Sequence, residues 1–316
     1  MRRARRVVLP TICLAALLAS AASASGTATA GRRPGGDGFP VTVQSADGRV
    51  RIPARPTRIL SLSASATEML YAIGAGHQVV GVDKYSTWPP NAPRTSFTGY
   101  ESSAEDYLPL RPDLVVLAFD ENHLVAQLEA LRIPVLLLPA VSTIQGAEQQ
   151  VSELGLATGH REGAIRANAT IDRAISAAVA SARGHGRGDT YYVEIDPTYY
   201  SATSRTFIGA LFSRFGMRDI ADRALKASSG YPQLSAEYVL AADPDYVFLA
   251  DTICCGVTAK SFAARPGFSN LRAVRLGHVV AVRDSLASEW GPHSLEAFVA
   301  VIADVLDHRR LPPAAS

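Results

Sequence analysis

Apolar positions along this chain recur in two alternating rhythms. Short apolar runs at 58–62, 78–82, 114–118 and 135–138 predict buried strands. Between them, helical spacing predicts helices at 65–73, from Glu105, at 123–131 and at 144–157. Strand–helix alternation of this kind argues for a mainly parallel α/β lobe. The order then returns, with strands at 191–195, 246–250 and 279–282 and helices at 206–215, from Glu237, and at 295–308. Ahead of both, residues 41–52 alternate around Asp47-Gly48 and predict a hairpin. Ser65-x-x-Glu68 reads as a capping box for the first helix, and Gly74 and Gly76 close it. Residues 83–103, 196–205 and 283–293 are expected as loops.

One segment stands between the two series. Residues 161–183 hold no Pro, only Gly163 near their start, and Ile165, Ile171, Ile175, Val179 and Ala182 at roughly helical spacing. They predict a single rod of about 35 Å, stopped by Gly184 and Gly186. Similar text flanks it. The sixteen residues from Glu105 and the sixteen from Glu237 align without gaps at seven identities, including the leading Glu and Pro-Asp. Each copy reads as short helix, Pro-Asp turn and buried strand, so the rod is expected to join two lobes built on one plan. The expected division is an N-terminal lobe at 41–143, a helical linker at 144–187 and a C-terminal lobe at 188–316.

Charge changes the picture at the front. Arg2, Arg3, Arg5 and Arg6 precede an apolar run, and Ala22-Ser-Ala24 offers a small-residue cleavage site. Residues 1–24 therefore read as a secretory signal and 25–40 as a flexible Gly/Ser/Thr/Arg/Pro-rich leader. Ala28-Thr-Ala30 is a second candidate site, and Arg5-Arg6 a weak twin-arginine candidate. Removing 1–24 takes four arginines and no acids, and lowers the formal net charge from +2 to −2. That balance suggests no nucleic-acid partner. The expected location is outside the cytoplasm, periplasmic or at the cell surface, but Cys13 stands too early for a lipid-attachment site. Cys254 and Cys255 then remain, as a vicinal disulfide or as two buried thiols; no metal site is expected of them.

No enzyme motif is present. Gly74-Ala-Gly76 follows a helix and precedes a strand, the reverse of a dinucleotide fingerprint. Ser61-Leu-Ser63-Ala-Ser65 is a strand end and helix start, not a nucleophile elbow, and the seven histidines are scattered. What the loops do carry is aromatic surface. Tyr85, Trp88, Tyr100 and Phe119 fall in the first series, and Tyr199, Tyr200, Tyr231 and Trp290 in the second, with Arg205 and His293 nearby. In α/β sheets, ligands gather beyond the strands' carboxyl ends. Two such faces across a cleft suit a flat or bulky ligand. Tyr85, Trp88, Tyr100, Phe119, Tyr200, Arg205, Tyr231 and Trp290 are the candidate ligand-binding residues.

Arg58-Ile-Leu-Ser-Leu-Ser-Ala-Ser-Ala-Thr-Glu-Met, Val79-Val-Gly-Val-Asp83 and Tyr85-Ser-Thr-Trp-Pro-Pro90 together resemble the helical-backbone metal-receptor family. These are the extracytoplasmic binding proteins of ABC importers for cobalamin and ferric siderophores. The resemblance covers roughly 40–308. It implies two Rossmann-like lobes joined by one long helix, the class III periplasmic binding fold. It also implies a monomer without enzymatic activity or cofactor, whose partners are a metal chelate and an ABC permease. The chelate is a corrinoid or a ferric siderophore; haem, a bare metal ion and a secreted α/β enzyme are the alternatives. Tyr85 matches a pocket-lining Tyr of the cobalamin receptors. In the family, one exposed Glu on each lobe docks onto the permease, and the matching positions are Glu105 and Glu237. Ala64 replaces the usual Pro, and Pro109 replaces a helix former, which is expected to shorten the Glu105 helix.

Overall fold

The computed structural model describes residues 38–100, 103–224 and 230–308. The expected signal segment, Cys13, most of the leader and the tail 309–316 lie outside them.

A hairpin opens the described chain, β1 (Val41–Ser45) against β2 (Gly48–Ile52). The first lobe follows: β3 (Ile59–Leu62), α1 (Ala64–Ala72), β4 (Val79–Val82), α2 (Ala104–Tyr107), β5 (Leu114–Leu117), α3 (Leu124–Ala130) and β6 (Val135–Leu137). Two helices carry the chain across, α4 (Ile144–Thr158) and α5 (Arg161–Ser181). The second lobe contains β7 (Thr190–Glu194), α6 (Phe207–Arg214), β8 (Arg218–Asp219), α7 (Ala236–Ala242) and β9 (Tyr246–Leu249). It closes with α8 (Ala259–Ala263), α9 (Arg272–Leu276), β10 (Val279–Ala281), α10 (Asp284–Ser288) and α11 (Pro292–His308).

The duplication is visible in the sheets. The first is ordered β4-β3-β5-β6 and the second β8-β7-β9-β10, and both are parallel throughout. Numbered within its lobe, each reads 2-1-3-4. The repeated Pro-Asp has a physical role in this plan. Asp113 accepts the Thr57 N–H at 2.8 Å and its hydroxyl at 2.9 Å, and Asp245 accepts the same two groups of Thr190 at the same distances. Each aspartate thus clamps the start of the neighbouring first strand and satisfies donors that the ladder leaves over.

The rod forms as expected, one helix without interruption. Ile171 and Ile175 are buried in a single apolar cluster that also contains Met69, Leu70 and Val116 of the first lobe and Phe212, Phe248 and Phe298 of the second. So α5 is part of a shared core. Gly163 is required at its start, because a Cβ there would lie inside contact distance of the Ile73 carbonyl oxygen.

Two expectations are corrected. The capping residue of α1 is Ser63, whose hydroxyl accepts the Ala66 N–H at 3.2 Å; the Ser65/Glu68 box does not form. Glu68 is drawn away by a partner in the other lobe. The expected loop 283–293 contains α10, and short β8, α8 and α9 carried too few periodic positions to be predicted. Pro109 does shorten its helix: α2 has four residues against seven in α7, and continues as a turn of 3₁₀-helix.

Candidate functional site

Each serine of Ser61-Leu-Ser63-Ala-Ser65 has a distinct task. Ser61 and Ser86 both bond the Thr67 hydroxyl at 2.9 Å, which fixes the long loop after β4 against α1. Ser63 caps α1, and the Ser65 hydroxyl accepts the Trp290 backbone N–H at 3.0 Å. Asp83 ends β4 and accepts the N–H groups of Tyr85 and Ser86 at 3.1 and 2.7 Å, a turn that leaves the Tyr85 ring exposed.

A cavity of about 660 Å³ opens beyond the carboxyl ends of β3, β4 and β5. Tyr85, Tyr100 and Phe119 wall it, with Tyr100 stacked on Phe119 at 5.5 Å between centroids and edge-on to Tyr85 at 6.4 Å. A second cavity of about 380 Å³ opens beyond β7 and β9, lined by Ile195, Phe207, Ala250, Cys254 and Tyr231. Ser288, Glu289 and Trp290 border both cavities, so the two are halves of one cleft between the lobes.

Trp290 fixes the floor. It is 8% exposed, and its indole N–H donates to Gln150 Oε1 of α4 at 2.7 Å. Beside it, Glu68 of α1 is 1% exposed and reaches α11, where its Oε1 accepts the Ser294 hydroxyl at 2.6 Å and its Oε2 the Ser294 N–H at 2.9 Å. Gly291 leaves the room, since a Cβ there would collide with the Glu68 carboxylate. Burial and the adjacent Glu68 charge push Glu289 up to about 8. Burial also raises Asp83, Tyr100 and Tyr231.

The structure therefore brings Tyr85, Tyr100, Phe119, Tyr231 and Trp290 together around one cleft. It leaves three candidates outside the lining of both halves. Trp88 is stacked on the His293 imidazole, 4.5 Å between centroids. Tyr200 is held by a backbone bridge to Gln233, and Arg205 is exposed. Tyr199 turns inward, its ring 5.3 Å from the Arg265 guanidinium. Glu68, Asp83 and Glu289 were not singled out as site residues from sequence. A lone charge next to Met69-Leu70 in an otherwise uncharged helix is the signal that could have found Glu68.

Cys254 and Cys255 are joined to each other and exposed, which overturns the buried-thiol alternative. Asp284 holds their loop by accepting the N–H groups of Ile253 and Cys254 at 2.9 and 2.6 Å. Among the described residues no group of three or more His, Cys, Asp or Glu is placed to hold a metal ion.

Glu105 and Glu237 occupy equivalent places, in the first turns of α2 and α7, next to the N-capping Ser103 and Ser235. Both are exposed. A hydrogen bond from each residue's own backbone N–H, then one from the capping serine, holds both carboxyls below their usual value.

Residues 59–286 match the periplasmic binding protein family. A cobalamin-binding protein of Halobacterium salinarum is 29% identical over 314 residues, covering 94% of this chain and 83% of its own. An uncharacterised ABC transporter substrate-binding lipoprotein of Bacillus subtilis is 26% identical, covering 82% and 83%. Among solved structures, a periplasmic haem-binding protein of Roseiflexus sp. RS-1 superposes with a TM-score of 0.69 at 24% identity, covering 80% of this chain and 99% of its own. At that identity the likeness is one of fold.

Proposed function

This chain belongs to the periplasmic binding protein family, and from that premise we propose that it is the extracytoplasmic receptor of an ABC importer for a metal chelate, with a corrinoid as the ligand. The observation that carries this reading is the cleft. Aromatic rings stand on both of its walls, and among the described residues no lysine or arginine lines either half, the nearest approach being Lys84 Nζ, 5.0 Å from the Tyr85 ring. A broad macrocycle with uncharged carboxamides at its edge suits such a surface. The cobalamin-binding relative points the same way.

In this reading the protein acts by binding rather than catalysis, as a monomer. Residues 1–24 direct export, 25–40 form a leader, and the lobes 41–143 and 188–316, joined by the helical segment 144–187, hold the ligand between them. Tyr85, Tyr100, Phe119, Tyr231 and Trp290 contact it, with Trp88, Tyr200 and Arg205 further from the floor. Glu105 and Glu237 meet the permease. Calorimetric titration with cyanocobalamin, haemin, ferrioxamine B and divalent metal salts tests the assignment. Saturable one-to-one binding of cyanocobalamin is expected, and tight binding of haemin or of a bare ion in its place would overturn it.

A further inference from the structure

Cys254 and Cys255 are neighbours in the chain, joined to each other and exposed. Such a bond links no distant segments. The stabilisation that a disulfide gives by closing a loop grows with the length of that loop, and here the loop is one dipeptide. The pair is therefore no staple of the fold. What it constrains is local, the backbone of the two residues it closes into a ring.

That ring sits at the tip of the loop between β9 and α8. Both ends of the loop are fixed: Asp251 and Val257 are buried, and the Val257 N–H donates to the Asp251 carbonyl at 3.3 Å. The tip is anchored by a residue from outside the loop. Asp284 Oδ1 accepts the Ile253 N–H at 2.9 Å and the Thr252 hydroxyl at 3.2 Å, and its Oδ2 accepts the Cys254 N–H at 2.6 Å. The matching loop of the first lobe anchors itself to the helix that follows, where Asp120 accepts the Val125 N–H at 2.9 Å. Asp284 is the first residue of α10, and α10 reaches both halves of the cleft, with Ser285 and Ser288 in one and Ala287 and Ser288 in the other. Ring, backbone N–H, carboxylate and helix thus form an unbroken path from the protein surface to the cleft.

We propose that Cys254–Cys255 is a thiol–disulfide exchange site that acts as a clasp on the second wall of the cleft. Oxidised, it holds the loop tip against Asp284 and the start of α10; reduced by a dithiol, it frees both and weakens ligand binding. The clasp is read from the loop itself, and its effect on affinity rests on the reading of the cleft as a chelate site.

The exchange balances with a dithiol as the reductant. One thiolate of the dithiol attacks a sulfur of the pair, so that a mixed disulfide forms as the Cys254–Cys255 bond breaks. Its second thiolate then displaces the bound cysteine. The dithiol leaves as a disulfide, oxidised by two electrons, and Cys254 and Cys255 end as thiols that have taken up the electrons and two protons. Exposure gives the attacking thiolate its access, and exposed disulfides are the labile ones. Two thiols do not fit at bonding distance, so the dipeptide backbone turns once the bond is gone. A loop that is free before binding has to be ordered by the ligand, and that cost lowers affinity. The coupling is reciprocal: the factor that reduction removes from affinity is the factor that bound ligand removes from the equilibrium constant for reduction.

Wild type and the double variant Cys254→Ser with Cys255→Ser would be compared with and without dithiothreitol, with cyanocobalamin as the probe. In the folded wild type, peptide masses should show Cys254 and Cys255 blocked to iodoacetamide before reduction and alkylated after it. Without ligand, hydrogen exchange of the Ile253 and Cys254 amides should quicken about tenfold or more on reduction. By calorimetry the reduced wild type should bind cyanocobalamin at least about fivefold more weakly, and saturating cyanocobalamin should shift the equilibrium with dithiothreitol by the same factor. The double variant should match the reduced protein and ignore dithiothreitol; if it folds poorly, the two redox states of the wild type decide alone. Free thiols before reduction, a bond that dithiothreitol leaves intact in the folded protein, unchanged amide exchange or unchanged affinity overturns the inference and leaves the receptor reading standing. Failure of the oxidised wild type to bind cyanocobalamin would instead remove the corrinoid reading, and amide exchange would still decide the clasp.

Discussion

Glu68 and Ser294 stand 226 residues apart and are joined by two hydrogen bonds, 2.6 Å from the Ser294 hydroxyl and 2.9 Å from its N–H. Ser294 is in the first turn of α11, where backbone N–H groups have no partner inside the helix. A carboxylate of the first lobe therefore caps the last helix of the second. The helix dipole favours the same charge at that end. With the Trp290 bonds to Ser65 and Gln150, this contact ties the lobes together directly beneath the cleft.

Glu68→Ala should lower stability by about 2 kcal/mol, because it leaves the buried Ser294 N–H unpaired and the Ser294 hydroxyl with only its 3.2 Å contact to Glu289. Glu68→Gln, which keeps acceptor oxygen, should cost less. Urea unfolding of the three proteins measures both. A midpoint for Glu68→Ala equal to that of the wild type would show that the cap carries no stability.

Gly163→Ala should destabilise by roughly 1–3 kcal/mol, although alanine favours helix more than glycine does. The new methyl would collide with the Ile73 carbonyl and push α5 from α1. Thermal melting decides between the two effects, and a raised midpoint would mean that propensity outweighs packing.

Stability should fall as pH rises between about 5 and 8. Glu289 is raised from 4.5 to about 8, and Asp219 and Asp251 from 3.8 to about 7, each by burial first. Between the ordinary and the raised values the folded chain holds protons that the unfolded chain has released. The stabilisation is complete below the unfolded values and is lost as pH climbs through the folded ones. Urea midpoints from pH 5 to 9 should therefore decline, and Glu289→Gln should flatten part of the slope. A flat wild-type profile would contradict the burial of these groups.

Much of this architecture was legible because it is written in local pattern. The strands at Ile59–Leu62 and Tyr246–Leu249 are uninterrupted apolar runs, and α5 announces itself by spacing alone. The paired Pro-Asp showed the repeat, and the structure supplies its cause in the clamped threonines. Loop aromatics pointed to the cleft from both sides. What sequence spacing could not give was pairing across the lobes. Ser65-x-x-Glu68 satisfies the local rule for a capping box, yet Glu68 bonds Ser294 because the fold offers it two stronger donors at another helix start. Trp88 and Tyr85 look alike in the sequence, and only the position of His293 separates a stacked ring from a cleft wall.

Glu105→Arg together with Glu237→Arg should abolish uptake while ligand affinity is unchanged. The two carboxylates stand at equivalent helix starts of equivalent lobes, and neither lines the cleft. Exposed charge of this kind governs orientation and encounter more than affinity. Transport into cells and calorimetry on the double variant measure the two quantities separately. Normal uptake would remove the docking role, and lost ligand binding would place these residues at the site.

The claim that a chelate binds between the lobes is tested most directly by the fluorescence of Trp290. Trp88→Phe leaves Trp290 as the sole tryptophan of the chain, at the floor of the cleft. Titration of that variant with cyanocobalamin should quench the emission saturably, with the same midpoint as calorimetry. Adding Tyr85→Ala or Tyr231→Ala, one ring from each wall, should weaken the midpoint by about 2 kcal/mol, or some thirtyfold. Calorimetric binding with no quenching of Trp290, and with no effect of either tyrosine, would place the ligand elsewhere and contradict the account.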